Sequence, residues 1–412
     1  MHKNQIKTGK YSEYRDNGVI SFCPVLTNGI TTVMQKDNTD MKMYIAPAFL
    51  RGGDMDPGTR LKNIQKYLAQ KMGAENLRIT EFWQNLEGWS METYSLGLLY
   101  EKDGSEVRED IIIRKEPDAG LLDPYDASIE YRVLTALAES GVAVPPTRWY
   151  EPDPEVLGLP FYVMDKVEGK VHFWSMNFDP KWRLIPDDAE RESLGRDFVE
   201  NIAAIHNADW KNLGLDFLGQ PGPGKSVAGQ QLERWRKAIE KAGFDSHPVC
   251  AYAYAKLSDG LPSCDNVTLV HGDYRTGNYI ARDGRIAAVL DWEMVHLGDP
   301  MEDISYIIGT AWRSPRPQLW VSHLMPQEEF FEKYEAASGI KIDKDRIRFY
   351  HLLNNYKAIG IAATAMNAFR TKPGIDLKAG VFGMTLPVQF FNLMRTFNKY
   401  SHGADKPAAG EG

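Results

Sequence analysis

The chain has few cysteines and no long apolar run, and these two shortages exclude several kinds of protein. Only three of its 412 residues are cysteine, Cys23, Cys250 and Cys264, and they lie far apart. Disulfide scaffolds and zinc centres need paired or clustered cysteines, so we expect neither. No stretch approaches the roughly 18 apolar residues of a membrane span, and the polar segment 1–18 lacks the apolar core of a signal peptide. The sequence therefore predicts a cytoplasmic protein that does not bind a membrane.

An excess of basic charge is also missing. The chain has 48 Lys and Arg against 56 Asp and Glu, a net charge of −8. Proteins that bind nucleic acid in general carry a basic surface, so we expect no nucleic-acid partner. The 43% hydrophobic and 25% charged residues are typical of a soluble globular protein. One stretch differs, since residues 312–400 contain thirteen basic and seven acidic side chains.

The segment 269–291 carries the most specific pattern. Asp273 and Asn278 are five residues apart, and Asp291 follows thirteen residues later. Phosphoryl transfer needs a carboxylate that orients a hydroxyl and accepts its proton, and Mg²⁺ prefers hard oxygen ligands. The spacing therefore predicts Asp273 as the catalytic base, with Asn278 and Asp291 as metal ligands. Alone, each of these residues would more simply cap a turn or end a strand.

Local patterns around this segment predict how its side chains meet. The run 267–270 is short, mostly apolar and β-branched, which favours a strand that delivers the loop. Arg282-Asp-Gly284 is a turn signal between two apolar runs, so a hairpin is expected there. Asn278 and Asp291 flank this hairpin and should therefore approach each other.

Three further strands are predicted upstream, at residues 77–83, 91–100 and 109–114. The loop between the first two contains Gly88 and Ser90, and its backbone N–H groups could cover nucleotide phosphates. Arg114 ends the third strand, and Glu130 lies in the first turns of a predicted helix. We expect these two to form the ion pair that positions the phosphates; the alternative is a pair of solvated surface charges.

A fourth apolar strand, residues 160–164, runs into a polar segment that we interpret as a hinge. Adenine would contact the Asp165 carbonyl and the Val167 N–H, with Met164 behind it.

A competing nucleotide motif, residues 219–226, matches the P-loop pattern Gly-x-x-x-x-Gly-Lys-Ser. Pro221 and Pro223 each remove a backbone donor, and residues 213–218 are a poor buried strand. We therefore expect a flexible loop before a helix at 230–242, and a P-loop NTPase is unlikely.

Together these residues resemble the aminoglycoside phosphotransferase-like small-molecule kinases, within the protein-kinase-like fold, over about residues 60–400. The matching segments are 88–93, 111–114, 130–133, 161–165 with Gly169, 271–278, and 291–293 with Gly298-Asp-Pro300 and Asp303. Two departures from protein kinases stand out: Arg114 replaces the usual lysine, and Asp291-Trp-Glu293 replaces Asp-Phe-Gly. Arginine can still bind phosphate. Segments 114–117, 121–122 and 130–134 look most like the 4-hydroxyacyl-CoA kinases associated with acyl-CoA dehydrogenases.

The resemblance implies an α+β, two-lobed fold with a small antiparallel-sheet N-lobe and a mostly helical C-lobe. We expect an extension and linker at 1–58, a nucleotide-binding N-lobe at 59–167, a C-lobe with the catalytic loop at 168–400, and a flexible tail at 401–412. The extension could also mediate homo-oligomerisation.

The implied function is ATP- and Mg²⁺-dependent phosphorylation of a small-molecule hydroxyl. Polycationic aminoglycosides favour acidic pockets, whereas residues 312–400 are net positive, so a neutral or anionic acceptor such as a hydroxyacyl-CoA is the preferred interpretation. The alternatives are an antibiotic O-phosphotransferase and, in another class, a pseudokinase scaffold.

Overall fold

The computed structural model describes residues 13–16, 19–22, 32–37, 40–45, 57–85, 90–172, 184–185, 187–219, 226–309, 317–372 and 377–401. The strands are β1 (Glu13–Asp16), β2 (Val19–Phe22), β3 (Thr32–Asp37), β4 (Asp40–Ile45), β5 (Glu75–Asn85), β6 (Glu92–Lys102), β7 (Ser105–Lys115), β8 (Thr147–Glu151), β9 (Phe161–Asp165), β10 (Thr268–Val270), β11 (Tyr279–Arg282), β12 (Arg285–Val289) and β13 (His296–Gly298).

The helices are α1 (Pro57–Met72), α2 (Ala127–Leu137), α3 (Pro154–Leu157), α4 (Asp188–Asn207), α5 (Val227–Lys241), α6 (Pro248–Asp259), α7 (Met301–Ile307), α8 (Gln327–Ser338), α9 (Lys344–Thr371), α10 (Leu377–Gly383) and α11 (Leu386–Ser401). The chain divides into two compact units. Unit 1 comprises Met1–Lys115 and Pro152–Pro160, and unit 2 comprises Glu116–Glu151 and Phe161–Gly412.

Unit 1 is built on the antiparallel strands β5, β6 and β7. Alternation along β7 buries Ile111, Ile113 and Lys115 and leaves Ile112 and Arg114 half-buried, as a period of two requires. All three strands occur where the sequence predicts them. The antiparallel pairs β1–β2 and β3–β4 were not predicted, because strands of four to six residues are too short to give a sustained periodic signal.

Unit 2 begins with α2, which packs against the antiparallel pair β8–β9. Asp126 caps α2 by accepting the Ser128 N–H at 3.0 Å. The inner face of the helix buries Glu130 with Val133, Leu134 and Leu137, and the predicted helix is confirmed.

Two antiparallel strand pairs, β10–β13 and β11–β12, carry the predicted loop and hairpin. Asp283 and Gly284 both have positive φ, 53° and 72°, as a tight two-residue turn between twisted strands requires. The turn signal at residues 282–284 is therefore confirmed.

The remainder of unit 2 is helical and is organised around the 28-residue helix α9, which contacts α5, α6, α7, α10 and α11. Small residues let these helices approach closely. A Cβ at Gly360 would lie 2.9 Å from a ring atom of Trp235 on α5. No helix in the described part of the chain is long and apolar enough to cross a membrane.

The P-loop interpretation loses its structural context. Leu215–Leu218 forms a short 3-10 helix where a P-loop requires a buried strand. Ser226 caps α5, which starts at Val227, three residues earlier than the sequence predicted. Residues 220–225 lie outside the described part of the chain.

Candidate active site

The loop between β10 and β11 is fixed by one buried carboxylate on α7. Asp303 is 0% exposed and accepts the backbone N–H of His271 at 2.7 Å and of Gly272 at 2.8 Å. His206 lies 3.2 Å away and keeps the pKa of Asp303 low, although burial alone would raise it. Asp303 thus braces the loop.

The neighbouring acidic residue Asp299 has a different role. It accepts the Met301 N–H at 2.9 Å at the start of α7 and pairs with Arg346 at 3.0 Å. Asp299 therefore ties the start of α7 to Arg346 on α9.

Gly272 needs the conformational freedom of glycine. Its φ is +84°, and a Cβ there would lie 2.8 Å from the carbonyl oxygen of Met294. A side chain at this position would push the loop away from the segment that follows β12.

The geometry around His271 determines its tautomer. Nδ1 accepts the Asp273 N–H at 3.1 Å, so Nε2 carries the proton and donates to the Leu290 carbonyl at 3.0 Å. Burial lowers the pKa of this histidine, and the neutral ring satisfies both contacts. His271 therefore links the loop to the end of β12 as an uncharged crosslink.

The Asp273 carboxylate is surrounded by donors. Asn278 Nδ2 donates to Oδ2 at 2.6 Å, while Tyr306 Oη and Arg275 Nε donate to Oδ1 at 2.5 and 3.2 Å. The residue is 8% exposed. Such a carboxylate is held in one orientation and can accept a proton from a hydroxyl placed against it.

Arg275 brings a fixed positive charge into this group. Burial by itself lowers the pKa of the guanidinium, but the carboxylate of Asp273, together with Tyr306 and Asp291, raises it overall. The site therefore holds a cation able to face a phosphate.

The hairpin brings Asn278 and Asp291 together. The Leu290 N–H donates to the Asn278 carbonyl at 2.8 Å, so Asp291 follows directly on from this contact. Asp291 has φ 68°, in the left-handed region, and a short 3-10 helix follows it. The next residue, Trp292, donates its N–H to Glu130 at 3.0 Å, which fixes the segment to α2.

The oxygen donors at this corner suit a magnesium ion. Asn278 uses its Nδ2 for both hydrogen bonds to Asp273, which leaves Oδ1 as the metal donor, and Asp291 supplies a carboxylate. Across the described residues, no group of three or more His, Cys, Asp or Glu is arranged to hold a metal. Magnesium fits this sparse set because it commonly takes one or two protein oxygens together with phosphate and water.

Lys357 on α9 contacts the backbone of the loop between β10 and β11. Its Nζ donates to the Gly272 carbonyl at 2.7 Å, lies 4.5 Å from the centre of the Tyr306 ring, and is 4.0 Å from Glu302. Burial lowers the pKa of this ammonium, and the surrounding carboxylates oppose that shift. A buried cation thus joins the loop to Tyr306.

The residues predicted to bind nucleotide divide between the two units. Ser90 and Arg114 lie in unit 1, and Glu130 lies in unit 2, so the expected Arg114–Glu130 pair stays a prediction. Gly88 lies outside the described residues. The buried cation of β7 is its neighbour Lys115, 2.9 Å from Glu92, which the sequence analysis did not identify.

The predicted hinge is the end of β9. Met164 is buried, and Asp165 and Val167 are half-buried. The Asp165 N–H bonds to the Pro146 carbonyl at 2.8 Å, and its carboxylate pairs with Arg148 at 2.6 Å. These contacts fix the strand end, and the adenine contacts stay a prediction.

The family model described as "Phosphotransferase enzyme family" (APH) matches residues 84–350, which include the whole catalytic loop and hairpin. The chain belongs to this family. The expected resemblance to the aminoglycoside phosphotransferase-like family is confirmed.

Individual relatives of this phosphotransferase agree with the match. Acyl-CoA dehydrogenase family member 11 of Rattus norvegicus is 28% identical over 73% of the chain and 38% of its own length. Hygromycin-B 4-O-kinase of Escherichia coli is 25% identical over 35% of the chain and 43% of its own length. The chain thus spans less than half the length of either relative.

A solved structure from Ralstonia eutropha, named provisionally as an aminoglycoside phosphotransferase, has a TM-score of 0.60 and 25% identity. The structural match covers 82% of the present chain and 98% of the solved chain. The predicted α+β, protein-kinase-like fold is confirmed.

Sequence reasoning missed three contacts of the phosphotransferase loop. Arg275 lies inside the recognised motif, but nothing in the pattern shows that it turns back to Asp273. Tyr306 and Lys357 are 33 and 84 residues from Asp273 and reach the loop only through tertiary packing. A lone lysine within the apolar stretch 349–369 was the available signal for Lys357.

Proposed function

We propose that this phosphotransferase transfers the γ-phosphoryl group of ATP to a hydroxyl of a neutral or anionic small molecule, preferentially a hydroxyacyl-CoA. The observation that supports it best is the contact of 2.6 Å between Asn278 and Asp273, together with the hairpin that brings Asp291 next to Asn278. A base and two oxygen ligands are thereby collected at one end of one hairpin.

In the proposed reaction, Asp273 orients the acceptor hydroxyl and takes its proton as the oxygen attacks phosphorus. Asn278 and Tyr306 hold the carboxylate so that one lone-pair direction remains for the acceptor. Arg275 offsets negative charge on the transferring group.

Asn278 and Asp291 would hold Mg²⁺. When bound, the ion offsets charge on the ATP phosphates and orients them. In unit 1, Ser90 and Arg114 are assigned to the phosphates with Gly88. Met164, Asp165 and Val167 are assigned to adenine, and Glu130 to the ion pair with Arg114.

Two observations favour the acceptor assignment. The stretch 312–400 is net positive, which disfavours a polycation. A relative that aligns over 73% of the chain is named for acyl-CoA chemistry. The second candidate is an aminoglycoside, because a shorter match is to a hygromycin-B kinase.

The test is a screen of Mg²⁺-dependent ATP consumption over hydroxyacyl-CoAs, hydroxylated aromatics, sugars and aminoglycosides. We expect the greatest stimulation by a hydroxyacyl-CoA, and a drop of about 10²- to 10⁴-fold in Asp273→Ala. Lys225→Ala should keep its activity, since it removes the lysine of the rejected P-loop motif.

Each alternative has its own signature in that screen. Rapid turnover of an aminoglycoside would refute the acceptor assignment. Absence of both Mg²⁺-dependent ATP binding and slow ATP hydrolysis would indicate a pseudokinase scaffold. Inactivation by Lys225→Ala with retention in Asp273→Ala would move the chemistry to the P-loop motif.

A further inference from the structure

A large cavity opens in unit 2 beside helix α5. Its volume is about 1050 Å³, within the size range of sites for whole small molecules. Its walls are the segment 121–124, one face of α5, Leu261 and Thr364 of α9. The apolar part of the wall, including Leu121, Leu122 and Trp235, suits a ligand with an apolar portion.

The charged residues of the wall leave two cations without ionic partners. Asp123 pairs with Lys241 at 2.6 Å, and Glu233 pairs with Arg236 at 2.7 Å. Arg234 and Lys237 also line the cavity, and neither makes a hydrogen bond or ion pair with any residue that the structure describes. The wall therefore presents a surplus of positive charge.

Of these two cations, Arg234 is the better suited to bind an anion. Its side chain is open to solvent and lines the concave wall. An arginine stays charged at physiological pH, and its planar guanidinium can bind a carboxylate or a phosphate through two parallel hydrogen bonds.

The cavity lies close to the catalytic loop along α9. Lys357, Gly360 and Thr364 recur at helical spacing and share a face of that helix. Lys357 touches the Gly272 carbonyl, Gly360 receives the Trp235 ring, and Thr364 lines the cavity. Seven residues of helix rise about 10 Å, so Thr364 lies about 10 Å along α9 from Lys357.

We infer that this cavity is the acceptor site and that Arg234, aided by Lys237, binds an anionic group of the acceptor while its apolar part lies along Leu121, Leu122 and Trp235. The anion is a carboxylate or a phosphate at a distance from the reacting hydroxyl. Arg234 is thus a specificity-determining residue, and this inference rests on the proposed phosphotransferase function.

The test compares three acceptors that share one hydroxylated chain: the free hydroxy acid, its methyl ester and its coenzyme A thioester. We expect Arg234→Gln to reduce the preference in kcat/KM for an anionic acceptor over the ester by about tenfold or more. Arg234→Lys should keep part of that preference. The matched control is Arg236→Gln, on the same helix with its charge already paired, which should keep all of it.

The comparison of the three acceptors distinguishes a carboxylate from the phosphates of the thioester as the bound anion. Loss confined to the acid assigns a carboxylate, and loss confined to the thioester assigns its phosphates. An unchanged preference in Arg234→Gln, or an equal loss in Arg236→Gln, overturns the inference while leaving the proposed function intact.

Calorimetric titration of the acid and the thioester without nucleotide tests the site independently of turnover. We expect at least one to bind the wild-type chain about tenfold more tightly than Arg234→Gln. If the wild-type chain transfers no phosphoryl group to any acceptor, the proposed function fails, and the titration still decides the anion site. Equal binding by the two proteins would refute it.

Discussion

Replacing Asp303 with asparagine is the sharpest test of how the catalytic loop is held. The side chain keeps its shape but loses its charge, and only one of its two polar atoms can still accept a hydrogen bond. Two backbone N–H groups, of His271 and Gly272, now depend on its two oxygens. One of them would face an amide N–H instead.

The expected cost follows from those contacts. A hydrogen bond to a charged group is worth about 1.5–3 kcal/mol, and breaking a buried charge pair costs about 3–5 kcal/mol. Since asparagine keeps one acceptor, we expect Asp303→Asn to lower the free energy of unfolding by about 3 kcal/mol. It should also lower kcat, because the backbone on either side of Gly272 loses its anchor.

The assay is urea unfolding followed by tryptophan fluorescence, alongside steady-state transfer kinetics. Asp343 provides a matched control, because it too accepts two backbone N–H groups, both at 3.0 Å, but at the exposed start of α9. Asparagine is an equally good helix cap, so Asp343→Asn should cost less than about 1 kcal/mol. Equal costs for the two variants, or a wild-type kcat in Asp303→Asn, would refute the reasoning.

Three further predictions concern the same unit. Gly272→Ala should destabilise the protein by about 2 kcal/mol or more and reduce turnover, whereas Gly284→Ala, whose Cβ would meet nothing closer than 3.8 Å, should cost only about 1 kcal/mol in urea unfolding. Lys357→Met leaves the Gly272 carbonyl without its donor, so kcat should fall while the KM for ATP stays within about twofold; a wild-type kcat would contradict this. Burial lowers the pKa of His323 to about 4, so below pH 6.5 the unfolded chain binds a proton that the folded chain does not. The stability contributed by the neutral ring of His323 is therefore fully present above pH 6.5 and falls by about 1.4 kcal/mol per pH unit down to about pH 4. His323→Gln should reduce this pH dependence, which is measured as the difference between the urea midpoints at pH 7 and pH 4.5. An unchanged difference would exclude this histidine as its source.

The sequence predicted those parts of the site that are set by neighbouring residues. Asn278 and Asp291 meet because a turn at Asp283-Gly284 closes a hairpin, and such turns have a recognisable composition. The strands of unit 1 and α2 came from equally local patterns. Each of these features depends on residues within about thirty positions of one another.

The contacts that escaped prediction depend on packing between distant segments. Tyr306 reaches Asp273 from α7, Lys357 reaches Gly272 from α9, and Trp292 bonds to Glu130 across 162 residues. Neither periodicity nor composition specifies which face of a helix lies against a particular loop. The cavity beside Arg234 was hidden for the same reason, since four separated parts of the chain line it.

The packing of Trp235 on Gly360 lies between the catalytic loop and the cavity, so phosphoryl transfer and acceptor binding are assigned to different parts of unit 2. The proposed phosphate chemistry belongs to a hairpin whose shape its own turn dictates, whereas the proposed acceptor surface lies largely on helix α5, which packs on α9. Substitutions on those helices can change which acceptor is preferred without changing the phosphoryl-transfer step. The same catalytic loop can therefore serve family members that phosphorylate different acceptors.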